Sequence, residues 1–85
     1  MPMNGNMETI NERFIAAYRE LLSIGAAPSQ AAFCAKVGAD RRNLYALLKD
    51  PSRRLVKIEW LTGIVSAYGV SAQWLLTGQG TMFGA

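Results

Sequence analysis

Residues 29 to 49, SQAAFCAKVGADRRNLYALLK, hold two helix starts and a helix stop too close together for an ordinary linker. Ser29 is an N-cap residue ahead of a helix-favouring run. Phe33 and Val37 lie four apart and share one face of that first helix. Gly38 ends it, because the left-handed conformation needed there carries no Cβ penalty for glycine. Asp40 then caps a second helix, whose Leu44, Leu47 and Leu48 fall on one side. Two helices joined this tightly must cross steeply, which is the geometry of a helix-turn-helix. Arg41, Arg42, Asn43, Tyr45 and Lys49 remain on the outer side of the second helix.

A chain of 85 residues makes one domain. Such a domain buries about 60 to 65% of its unfolded surface, enough to fold alone with a thin margin. The single cysteine excludes an intrachain disulfide, and with it a stapled secreted scaffold. No apolar run approaches the ~20 residues of a membrane span. The opening MPMNGNMETI has neither a basic nor an apolar region of a secretory signal, so a cytoplasmic location is expected. The net charge of +3 is unevenly placed. Residues 36 to 57 hold seven basic side chains against two acidic ones, net +5, whereas the rest hold two against four, net −2. A basic segment centred on the second motif helix is what a phosphate backbone attracts.

Around this stretch the chain reads as five helices. Residues 1–8 form a loose tail, with Gly5 between two asparagines. Thr9 and Glu12 form a capping box for a helix over residues 10–24, stopped at Gly25. Its inward stripe is Ile10, Phe14, Ala17, Tyr18, Leu21 and Leu22, with Arg13, Arg19 and Glu20 outward. Pro28 blocks continuation into the motif, and Asp50-Pro51 closes it. The connector DPSRRLVK is basic, and any strand across residues 53–58 is too isolated to pair. A fourth helix over 57–68 places Ile58, Leu61, Val65 and Tyr68 inward, with Trp60 and Ile64 as a second apolar line. Gly63 in its middle costs up to ~1 kcal/mol against alanine, which points to close helix contact. Ser71 caps a short last helix over 72–77, with Val70 and Leu75 as a hydrophobic staple and Gly78 as the stop. The expected organisation is a tail (1–8), the helical domain (9–78) and a C-terminal turn and tail (79–85).

The stretch resembles the helix-turn-helix of the lambda-repressor-like family, which includes Cro and the XRE-type regulators. Counting from Gln30, the residues Phe33, Val37, Leu44 and Leu47 match core positions, Gly38 the turn glycine and Cys34 a small residue under the second helix. Ser29-Gln30 matches a frequent opening, and Gly69-Val70-Ser71, Trp74 to Gly80 and Met82-Phe83 are similar to a common ending. The likeness runs from about residue 10 to residue 83. It implies an all-α, compact five-helix domain that binds double-stranded operator DNA and represses or otherwise regulates transcription. A connector departing from the usual glycine, Asp50-Pro51, makes residues 50–57 the least family-like part.

A helix in the major groove presents its N-terminal residues to base edges. Arg41 and Arg42 suit guanine, Asn43 suits adenine, and the Tyr45 ring suits a thymine methyl. The family's base-contacting positions match Arg41, Arg42 and Ala46. Its phosphate-contacting positions match Gln30 and the region of Lys49, Arg53, Arg54 and Lys57. Trp74, Leu75, Met82 and Phe83 either complete the core or form a two-fold interface, and a homodimer on a palindromic operator is favoured. The chain has no histidine, Cys34 is expected buried, no phosphate-cradling loop is present and the six carboxylates are scattered. No enzyme activity, metal, cofactor or membrane partner is therefore expected. Two rivals remain, an antitoxin of a toxin–antitoxin pair on the same fold and a helical protein-interaction module without DNA. An interaction module would carry an apolar groove.

Overall fold

The computed structural model describes residues 9–52 and 56–84. The expected tail over 1–8, and Arg53 and Arg54, lie outside the described residues. Five helices follow in order: α1 (Ile10–Ser23), α2 (Gln30–Val37), α3 (Arg41–Lys49), α4 (Ile58–Tyr68) and α5 (Ala72–Thr77). The fold is a compact all-α bundle in which α2 packs on α4 and α3, and α1 packs on α5. Among the described residues no strand forms, and no helix is long and apolar enough to cross a membrane.

Local signals set the helix ends. Thr9 and Glu12 close the capping box, each backbone amide donating to the other's side chain at 2.8 and 3.1 Å. Ser29 and Ser71 accept from the amides of Ala32 and Trp74. Asp40 stands at the N-cap of α3 in extended backbone, but its carboxylate makes no capping bond. Gly38 adopts φ 77°, and its amide donates to the Cys34 carbonyl. That single left-handed residue lets α3 begin with only three residues between it and the end of α2.

Phe33 on α2 is the hub of the core. Its ring meets Phe14 and Tyr18 of α1 edge-on, at 6.0 and 4.8 Å between centroids, and stacks on Tyr68 of α4 at 5.7 Å. Leu21, Leu44, Leu47, Ile64, Val70 and Leu75 complete a single buried cluster. Burial of such side chains contributes about 1.5–3 kcal/mol each.

Two expectations are corrected here. Arg13 does not face outward: it is only 6% exposed. Its Nε donates to the Leu75 carbonyl at 2.8 Å and its Nη2 to the Leu76 carbonyl at 3.2 Å. The guanidinium thus satisfies carbonyls that the end of α5 leaves without intrahelical partners, where a cation is also favoured by the helix dipole. Arg13→Met keeps the aliphatic stem and removes these bonds. A loss of about 2–3 kcal/mol is expected in urea denaturation; an unchanged midpoint would leave the guanidinium without a structural role.

The second correction concerns α4. Its inward line is Trp60 and Ile64, both buried, while Ile58 is 76% exposed and Leu61 and Val65 are half-buried. The cause is Gly63. Its Cα faces the backbone of Val37, so a Cβ built there would fall on the Val37 carbonyl oxygen and within 2.7 Å of the Val37 Cα. The close approach of α2 and α4 fixes the rotation of α4, turning residues 60, 63 and 64 toward the core.

Candidate functional site

The second motif helix presents a line of charge and ring. Arg41, Tyr45 and Lys49 are spaced four apart on α3, and all three are exposed, as is Arg42. The Lys49 ammonium lies 5.6 Å from the centroid of the Tyr45 ring, so the two side chains brace one another. Tyr45 keeps 58% of its surface exposed, placing an aromatic ring in the middle of a basic line. Leu44 and Leu47 on the opposite side are fully buried and hold the helix in place.

Not every expected site residue joins this line. Asn43 is half-buried, since it lies four residues before the buried Leu47 and so leans toward the core side. Gln30 opens α2 and is also half-buried. Lys57 is exposed at the N-cap of α4, its ammonium 6.0 Å from the centroid of the Trp60 ring. Arg53 and Arg54 belong to the undescribed segment. Cys34 is buried beneath the turn, and burial pushes its thiol up; Arg41 pulls it down less strongly, and Asp40 adds a smaller upward push. Burial and a raised thiol are the features of a packed core cysteine rather than an activated one. Among the described residues no three histidine, cysteine or carboxylate side chains gather into a metal-binding group.

Sequence reasoning missed Asn11. It is buried, its Nδ2 donates to the Pro51 carbonyl at 2.9 Å, and its Oδ1 accepts from the Val56 amide at 2.9 Å. The signal was present: Asn11 lies three and four residues before Phe14 and Ile15, on the buried side of α1.

The expected C-terminal apolar set divides. Leu75 is wholly buried, and Trp74 and Met82 pack partly against the core. Residues 79–84 turn back, with the Ser71 amide donating to the Met82 carbonyl at 2.8 Å. Phe83 stays exposed. A separate apolar groove of about 480 Å3 runs between α4 and α5, lined by Ile58, Leu61, Val65, Ala72 and Leu76 with Thr62 and Ser66. Among the described residues, no charged side chain lines it.

No family model, no curated protein and no solved structure matches this chain.

Proposed function

We propose that this chain is a sequence-specific double-stranded DNA-binding protein of the lambda-repressor-like helix-turn-helix type, acting as a transcriptional repressor. The observation that carries the reading is the exposed line Arg41, Arg42, Tyr45 and Lys49 on a helix anchored by Leu44 and Leu47. A helix of this size fits the major groove, and its first turn carries the two side chains best suited to guanine. Lys49 and Lys57 suit phosphates flanking that groove. The protein acts by binding, with no cofactor and no catalytic step. The expected result is retention of random duplex DNA in a low-salt gel shift, weakening steeply as salt rises. Absence of any shifted species at about 50 mM salt would overturn the reading.

A two-fold homodimer belongs to this reading. Among the described residues the α4–α5 groove has no charged lining, whereas six of the nine basic residues fall in the sequence of α3 and the connector. Two copies meeting through that face would bring no charged side chain of its lining against another. The groove also favours a second reading, the helical protein-interaction module, in which a partner helix fills it and duplex DNA is not bound. The same gel shift separates the two.

A further inference from the structure

We propose that Asn11 is a positioning residue for the basic face: its side-chain amide sets where Lys49 and Lys57 stand relative to one another, so that both reach phosphates of one duplex. This deepens the DNA-binding reading and rests on it. The backbone groups that Asn11 holds lie at the two ends of the connector between α3 and α4. Pro51 follows Lys49 by two residues, and Val56 precedes Lys57 by one. The Pro51 carbonyl accepts from the amide nitrogen and the Val56 N–H donates to the amide oxygen, each at 2.9 Å. One planar group on a third helix therefore ties both ends.

The choice of residue is chemical. Proline has no N–H, so that end can be tied only through a carbonyl, which needs a donor. The Val56 end offers an N–H and needs an acceptor. A short amide supplies both on one carbon; an ionised carboxylate lacks the donor and an aliphatic side chain lacks both. Asn11 is only 7% exposed, so its bonds compete little with bulk water. The cationic tips are steered as well, Lys49 against Tyr45 and Lys57 against Trp60. With the backbone beneath both lysines fixed and both tips braced, little ordering is left to be lost on binding.

Phosphate contacts supply affinity and salt dependence but no base preference. The test is a set of anisotropy titrations between about 50 and 200 mM salt, on a selected duplex and a random one. The proteins are the wild type, Asn11→Ala, Lys49→Gln/Lys57→Gln and the triple variant, with folding followed by circular dichroism. Asn11→Ala is expected to weaken both duplexes about three- to tenfold and to flatten the salt slope by up to about one unit. Base preference is expected to stay, and the Asn11→Ala effect is expected to vanish in the double-lysine background. An equal loss in that background, or a changed base preference, would overturn the proposal. So would wild-type binding by Lys49→Gln/Lys57→Gln, a result that decides even if Asn11→Ala does not fold. A wild type that binds neither duplex fails the DNA reading itself, which the first titration reveals separately.

Discussion

Gly63→Ala is expected to destabilise the fold by at least about 2 kcal/mol, although helix propensity alone says the opposite. Alanine at a solvent-facing site in mid-helix would add up to about 1 kcal/mol of stability. Here the new methyl would meet the Val37 backbone, its carbonyl oxygen first and then the Cα at 2.7 Å and the carbonyl carbon at 2.9 Å. Backbone cannot rotate aside as a side-chain tip does, so α2 and α4 must separate. Overpacking of this kind costs about 1–3 kcal/mol and sometimes more. The separation would also loosen Phe33 from Tyr68, whose rings stack across the same contact. For a domain of this size the midpoint should fall by roughly 8–16 °C in a thermal melt. Gly38→Ala makes the control. There the new methyl has nothing within 4 Å, and only the positive φ of 77° opposes it, for a smaller loss of about 1 kcal/mol. A Gly63→Ala protein as stable as the wild type would mean that the α2–α4 approach does not set the rotation of α4.

Arg41→Ala and Arg42→Ala are expected to cost about 1–3 kcal/mol each on the preferred duplex and to relax preference at one or two base pairs. Both residues occupy the first turn of α3 and are exposed. Their effect on random duplex should be smaller. Lys49→Ala and Lys57→Ala, at the far end of α3 and the start of α4, should weaken preferred and random duplexes alike. Each should lower the salt slope by about one unit. Arg53→Ala and Arg54→Ala are expected to behave like the lysines. Affinity measured on both duplexes across a salt series separates the two classes. If Arg41→Ala and Arg42→Ala leave preference untouched while Arg53→Ala abolishes it, α3 is not the reading helix.

The motif stretch was legible because its determinants are local. Ser29 bonds an amide three residues away, Gly38 supplies its own conformation, and the leucines of α3 repeat at helical spacing. The N-caps and stops of α1 and α5 were legible for the same reason. The rotation of α4 was not, since Trp60–Ile64 and Ile58–Leu61–Val65 are both apolar lines at helical spacing. Only the contact between Gly63 and Val37 chooses between them, and that contact joins two separate helices. Arg13 and Asn11 were missed because charge and polarity place a residue outside by default. Their partners are Leu75 and Leu76 for one, Pro51 and Val56 for the other, far away in the chain. Arg41, Arg42, Tyr45, Lys49 and Lys57 are all exposed, as their polarity suggested. Asn43 and Gln30 did not stand as free as their polarity suggested, because each shares its helix face with buried neighbours.

Selection of bound sequences from a random duplex library tests the proposed function most directly. The wild-type protein should enrich one short motif. With a two-fold dimer, that motif should recur as an inverted repeat with half-sites about 34 Å apart, one turn of the duplex. The same selection with Arg41→Ala/Arg42→Ala should lose preference at the positions that those side chains read. A wild-type pool that enriches no motif, drawn from a protein that is folded by circular dichroism, would contradict sequence-specific DNA recognition by α3.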